Sequence, residues 1–230
     1  MSRWLPESIS TYGKDVDFIF YLIYYITGIS FLLVIAAFIW LVFRYRHRDG
    51  RKAVYSHGNT TLEIIWTIVP ALVFVVLGFL SRSSWANIRG QLPDTDFRVR
   101  VVGKQFNWMM HYPGLDGKLD TKDDVKMENI LHVPTGKPVR VVLSSEDVIH
   151  SFFLPHVRLK QDAVPGRDIE VWFEIIDGTK PGRFDIPCAE LCGFGHGNML
   201  GTLVVHDPED FQKWAAEKRV FPVSEAGAGS

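Results

Sequence analysis

The sequence predicts a membrane α-helical hairpin of two transmembrane helices followed by an all-β domain, a sandwich or barrel. Three observations carry this prediction. Two long apolar runs, Phe18–Phe43 and Ile64–Leu80, lie near the N-terminus. Beyond Phe97, apolar and charged residues alternate as they do in half-buried strands. Turn-forming Pro, Gly and Asp pairs then punctuate the chain at short intervals. Composition narrows the function. Of 230 residues, 25 are Lys or Arg and 26 are Asp or Glu, so no basic excess marks a nucleic-acid partner. Two cysteines are too few for a disulfide scaffold.

Phe18–Phe43 holds 26 residues without a formal charge. As a helix it measures about 39 Å, enough to cross a hydrocarbon core of about 30 Å with tilt. Phe18, Phe20, Tyr21, Tyr24 and Tyr25 at its start, and Arg44, Tyr45 and Arg46 at its end, are interfacial anchors. The run is too long for a signal peptide, and no small-residue cleavage site follows it. Ile64–Leu80, between Glu63 and Arg82, has 17 residues. It spans if extended to Trp85, with Arg82 snorkelling and Pro70 tolerated as prolines are in membrane helices. Helices are therefore expected over residues 17–44 and 62–87. The loop between them carries Arg44, Arg46, Arg48, Arg51 and Lys52 against Asp49. Positive-inside counting puts this loop in the cytoplasm and both termini on the far side.

The remainder reads as β. Phe97–Val101 and Ile169–Ile175 alternate, and Val139–Leu143 and Leu200–Val205 are further strand candidates. Pro134-Thr135-Gly136, Pro165-Gly166, Asp177-Gly178 and Pro181-Gly182 are turn signals. Short strands between such turns suggest an antiparallel sandwich or barrel. Asp207-Pro208 starts a short helix as N-cap and first helical residue, with Phe211 and Trp214 packing it back. The expected organisation is an N-terminal tail and hairpin over residues 1–90, a β-domain over 91–214 and a disordered tail over 215–230.

The chemistry concentrates in one loop. Pro187-Cys188-Ala189-Glu190-Leu191-Cys192-Gly193-Phe194-Gly195-His196-Gly197-Asn198-Met199 holds both cysteines of the chain. Its glycines allow it to wrap closely around something. Upstream stands Ser145-Glu146-Asp147-Val148-Ile149-His150-Ser151. Cys192, His196, Met199 and the distant His150 make the soft ligand set of a mononuclear blue-copper centre. Cys188 is then a surplus thiolate. Two thiolates can bridge two copper ions, leaving one imidazole for each, with Met199 and a main-chain carbonyl as weak outer ligands. A bridged pair shares one electron over both metals, which suits relay rather than turnover. A Cys188–Cys192 disulfide suits an oxidising compartment but leaves His196 and Met199 unexplained. Zinc is disfavoured by the thioether and by the spacing.

On these motifs the chain resembles subunit II of cytochrome c oxidase, in the haem-copper oxidase superfamily. The C-x-E-x-C-x3-H-x2-M loop is joined by Leu159-Lys160-Gln161-Asp162-Ala163-Val164-Pro165-Gly166-Arg167 and by Glu63-Ile64-Ile65-Trp66-Thr67-Ile68-Val69-Pro70, both similar to family stretches. The resemblance runs to about Trp214. It implies a cupredoxin-type Greek-key domain after the hairpin. It further implies that Cys188 and Cys192 bridge a binuclear copper A centre, that His150 and His196 each ligate one copper, and that Met199 and the Glu190 carbonyl are weak ligands. The Glu190 side chain would reach a magnesium ion at the contact with subunit I. Glu63 resembles the carboxylate at the mouth of a proton channel of subunit I; by position alone it is an acid favoured at a helix N-terminus. Asp147 and Asp162 look like family acids that support the site or dock a donor. The implied partners are subunits I and III, a lipid membrane and a cytochrome c.

One departure stands out. The family commonly reads G-H-Q-W-x-W, with the first Trp receiving the electron, whereas here the stretch is Gly103-Lys104-Gln105-Phe106-Asn107-Trp108. Trp108 and Phe106 are the two electron-receiving candidates. The change points to a membrane-tethered cytochrome c or a neighbouring respiratory complex as donor. No C-x-x-C-H binds a c-type haem on this chain. The carboxylate-rich stretch Asp116–Asp124 fits no calcium loop and reads as a solvated hairpin loop. His47, His57, His111, His132, His156 and His206 lack a surrounding motif and read as surface or structural. The resulting expectation is the electron-input subunit of a terminal oxidase that reduces oxygen and pumps protons, in a bacterial plasma membrane with the β-domain in the periplasm. The mitochondrial inner membrane is the alternative site. The alternative functions are a copper A-containing nitric oxide reductase subunit and a copper-free structural subunit of a quinol oxidase.

Overall fold

The computed structural model describes residues 5–52, 54–90 and 92–221. The Ala/Gly/Ser tail expected to be disordered falls in residues 222–230, outside the described residues. Contacts divide the chain into two units. One is the hairpin, Asp15–Asn87; the other joins the segment up to Lys14 to the chain from Ile88 onward.

The hairpin consists of α1 (Gly13–Tyr45) and α2 (Thr60–Trp85). Both are long and apolar enough to cross a membrane, and their apolar windows are unburied within the protein. That exposure fits lipid, because hydrocarbon is the only solvent in which so many bare Leu, Ile, Val and Phe side chains are stable. Asn59 caps α2 by accepting from the Leu62 amide at 3.1 Å. Glu63 lies exposed in the first turn, and Pro70 is accommodated inside the helix. Past Trp85, a π-turn over Ala86–Gly90 leads out of the helix. In the basic loop, Arg51 donates to the Arg44 carbonyl at 2.9 Å, and both guanidiniums lie over the Tyr45 ring.

The second unit is a β-sandwich. β1 (Arg98–Lys104), β2 (Asn107–Tyr112), β3 (Val125–Glu128), β5 (Pro138–Ser145) and β8 (Ile169–Glu174) form one sheet in the order β3-β2-β1-β5-β8. β4 (Ile130–Pro134), β10 (Leu200–His206) and β9 (Gly182–Pro187) form a second, and β6 (His150–Leu154) with β7 (Leu159–Ala163) a two-stranded ribbon. The expected antiparallel sandwich needs correction, since β1 pairs with β5, and β4 with β10, in parallel. The alternation that reveals a strand says nothing of its direction, and β1–β5 and β4–β10 are joined by long intervening segments rather than hairpins, which allows them to run parallel. Alternation does assign the inner face: Val99 and Val101, Trp108 and Met110, Val139 and Val141, and Leu203 and Val205 are all buried. Three of the four turn signals place a glycine at positive φ, namely Gly136, Gly166 and Gly178. In the fourth, Gly182 instead opens β9.

Two boundaries differ from expectation. The N-terminal segment, assigned by sequence to the hairpin unit, pairs with the β-domain. The Ile176 amide donates to the Ile9 carbonyl at 2.9 Å and the Thr11 amide to the Glu174 carbonyl at 3.1 Å. The segment thereby covers the open edge of β8. At the other end, α3 (Pro208–Lys218) continues past Trp214. Val220 is buried, and the Phe221 amide donates to the Pro113 carbonyl at 3.0 Å, so the domain extends to Phe221.

Phe211 anchors α3 in the core. Trp214 stacks on His132, with ring centroids 4.3 Å apart, and His132 Nδ1 meets His206 Nε2 at 2.7 Å. These two histidines are structural. Burial, with His206, Arg183 and Lys218 nearby, pushes the His132 pKa down to about 4. The unfolded chain therefore binds a proton that the folded pair refuses, and stability present above about pH 6.5 is lost as the pH falls towards 4. Hydrogen exchange in α3 is expected to accelerate over that window. His132→Phe with His206→Phe, which keeps the stack without titrating, should flatten the change.

Candidate metal centre

The site lies at one end of the sandwich because its loop leaves β9 and returns directly into β10. Cys188 follows the last residue of β9, Met199 precedes the first of β10, and Pro187 pairs with Leu200 across the base. The Cys188 amide donates to the Met199 carbonyl at 3.1 Å, and the Ala189 amide to the Ser151 carbonyl at 3.0 Å. That second bond fastens the loop to β6, which begins with His150. A single turn of 3-10 helix, His196–Asn198, presents the second imidazole.

Six potential ligand atoms converge there. Cys188 Sγ stands 3.9 Å from Cys192 Sγ, 3.9 Å from His150 Nδ1 and 3.2 Å from the Glu190 carbonyl oxygen. Cys192 Sγ lies 3.6 Å from His196 Nδ1 and 3.8 Å from Met199 Sδ. The ligand atoms of the buried His150, Cys188 and Cys192 all lie within 4.8 Å of one another, close enough to hold a metal ion, and both cysteines are free. Their separation is far beyond the disulfide bond length of about 2.05 Å. It suits a metal touching both sulfurs at about 2.3 Å.

His150 is fully buried and oriented from behind. Its Nε2 donates to Asp147 Oδ1 at 2.8 Å, which fixes the tautomer and leaves Nδ1 free to face the sulfurs. The Gln105 amide donates to the other Asp147 oxygen at 2.8 Å. Burial would raise the Asp147 pKa, but the hydrogen bonds from Gln105, His150 and Val148 outweigh it and hold the carboxyl below its ordinary value. The imidazole lies against β1 at Gly103, where any Cβ would fall 2.8 Å from His150 Cδ2. Trp108 closes the other side, edge-on at 5.9 Å.

Burial pushes the Cys192 thiol up to about 11, with the neighbouring Cys188 adding to the effect. Two buried sulfurs this close do not both ionise without a cation between them. The donor set of two thiolates, two imidazoles, a thioether and a carbonyl fits a soft metal such as copper.

The family model for the periplasmic domain of cytochrome c oxidase subunit II matches residues 97–206, and that for its transmembrane domain matches residues 2–83. The chain belongs to the cytochrome c oxidase subunit II family. It is 32% identical to the alternative cytochrome c oxidase subunit 2 of Bradyrhizobium diazoefficiens, over 96% of this chain and 86% of that one. Against the cytochrome c oxidase subunit 2 of Thermostichus vulcanus it is 33% identical, over 94% and 79% of the two chains. The crystal structure of the periplasmic domain of subunit II from Bradyrhizobium japonicum is 30% identical, covering 56% of this chain and 96% of that one at a TM-score of 0.48. The family makes the chain an electron-input subunit of a terminal oxidase, an oxidoreductase component with a membrane hairpin and a periplasmic cupredoxin domain.

The structure separates the remaining residues singled out by sequence. Trp108 is fully buried and cannot touch a donor, whereas Phe106 is 36% exposed at the rim. The Glu190 side chain is exposed, as are Asp162 on β7 and Glu63 on α2. The acidic stretch is the hairpin loop between β2 and β3. Asp124 caps it internally, and Arg100 of β1 ties it to the sheet through Asp120 while also pairing with Asp168, just ahead of β8. Sequence reasoning missed Gln105 and Gly103. Their signals, a polar residue at a hairpin tip and a glycine inside an alternating strand, acquire meaning only once His150 is placed beside them.

Two outcomes follow. Gly103→Ala is expected to cost about 1–3 kcal/mol in thermal unfolding and to displace the His150 ring. That displacement would read out as weaker copper retention against a chelator. Copper loading at neutral pH should release protons, at least that of Cys192. Calorimetric titration in buffers of different ionisation heat counts them.

Proposed function

We propose that the chain accepts single electrons from a c-type cytochrome at a binuclear copper A centre and delivers them to haem in subunit I, where oxygen is reduced to water with proton pumping. The observation that carries this reading is the pair of free, buried sulfurs at 3.9 Å with one imidazole facing each. Cys188, Cys192, His150 and His196 would hold the copper pair, with Met199 and the Glu190 carbonyl as weak outer ligands. When bound, the copper pair supplies a one-electron couple delocalised over two metals. The chain's own part is to hold that ligand set still. Asp147 locks the His150 ring, the β9–β10 register closes the loop, and Trp108 and Phe152 keep water from its inner side.

Phe106 is the electron-receiving surface residue, while Trp108 is buried against His150. The rim around Phe106 is apolar: Leu191 is 78% exposed and Phe194 completely so. Of the nearby charges, Lys104 pairs with Glu146 at 2.9 Å, and the Asp147 carboxylate is turned inward to accept from His150 and the Gln105 amide. An apolar haem edge on a tethered cytochrome c, or on a neighbouring complex, suits such a rim. The Glu190 side chain holds magnesium together with ligands from subunit I, Glu63 sits at the mouth of a proton channel, and subunit III completes the assembly. We place the β-domain in the periplasm of a bacterium. A copper-free quinol-oxidase role leaves the assembled sulfurs without a purpose.

Electron paramagnetic resonance of the copper-loaded full chain tests the centre. One unpaired electron shared by two copper nuclei gives seven hyperfine lines, and Cys188→Ser should abolish them. Four lines, or no copper in a folded chain, would move the assignment to a mononuclear site or to a copper-free subunit.

A further inference from the structure

Gln105 touches both halves of the ligand set. Its side-chain Nε2 donates to the Cys192 carbonyl at 2.6 Å. Its backbone N–H donates to Asp147, which in turn accepts from His150. One residue is thus bonded to a sulfur ligand's backbone and, through a carboxylate, to an imidazole ligand that lies in a different part of the fold. The next residue completes the contact. A Cβ on Gly195 would fall 2.4 Å from Phe106 Cδ2, and one on Gly193 would fall 2.7 Å from Gln105 Nε2. Gly193 and Gly195 therefore let this hairpin turn lie flat on the crest of the loop. The crest is otherwise open: Leu191, Gly193 and Phe194 are exposed, and the bonds from Cys188 and Ala189 hold only the base.

We propose that Gln105 is a positioning residue for the metal centre, its amide holding the Cys192 carbonyl and with it the Cys192 sulfur. The proposal rests on the copper reading above. Through this bond the β1–β2 turn that carries Phe106 moves as one body with the loop. The distance between the electron-receiving surface and the sulfurs then stays constant, and the two metal positions stay equivalent. A neutral amide does this without adding charge beside the thiolates.

The test uses purified oxidase carrying variant subunits. Gln105→Met keeps the length of the side chain and removes the donor. It is expected to assemble with unchanged haem content, to lose copper to a chelator about tenfold faster, to show unequal hyperfine coupling to the two coppers, and to shift the copper potential. A purely packing role would leave the coupling and the potential where they were. Gln105→Glu, which when ionised offers the carbonyl no donor, should behave like Met. It decides the matter if the Met variant does not assemble. Wild-type copper retention, coupling and potential in an assembled variant would overturn the proposal, as would failure of both variants to assemble, which marks Gln105 as structural only. Absence of the seven-line signature in the wild type is a different failure, that of the copper reading itself.

Discussion

Two sulfur atoms are held 3.9 Å apart in a pocket nearly closed to solvent. Burial and the neighbouring Cys188 both oppose ionisation of the Cys192 thiol. A cation reverses that balance. Much of the β-domain can be understood as the means of keeping this geometry ready before the cation arrives. The β9–β10 register closes the loop, the Ala189–Ser151 bond ties it to β6, and His150 arrives already oriented by Asp147. Each constraint lies outside the ligands and limits how far they can move when charge changes.

A rigid site at the end of a sandwich must also meet its partners. The inner side is packed with Trp108 and Phe152, and the outer side is edged by Phe106, Leu191 and Phe194. The contrast is physical: the same few ångströms pass from dry core to exposed apolar surface. In the proposed role, such a surface favours brief, weakly charged encounters with a donor that must deliver an electron and leave.

The periphery is stabilised by separate devices. The N-terminal segment covers the β8 edge, and α3 closes the opposite sheet over the His132–His206 pair. Arg100 of β1 binds the acidic loop through Asp120 and the segment ahead of β8 through Asp168. None of these touches the sulfurs, so each can vary without altering the chemistry.

The amino-acid order by itself determined the division of labour. Long uncharged runs can only be stable as helices in lipid, and alternation marked β1, β5, β8 and β10 because one face of each is buried. The Cys-x-Glu-x-Cys-x3-His-x2-Met string was legible because one loop supplies most of the ligands in chain order. The strands β2, β3, β4, β6, β7 and β9 were not legible, since each is short and most lack a regular apolar–polar alternation. Parallel pairing was equally hidden, because strand direction depends on the crossover and not on the strand. The tertiary structure alone decided that Trp108 is interior and Phe106 is at the rim, that Gly103 makes room for an imidazole, and that Gln105 bonds to Cys192. These are contacts between segments 40 or more residues apart. No local pattern encodes them, because a side chain's partner across a sandwich is set by register and sheet packing rather than by its neighbours in the chain.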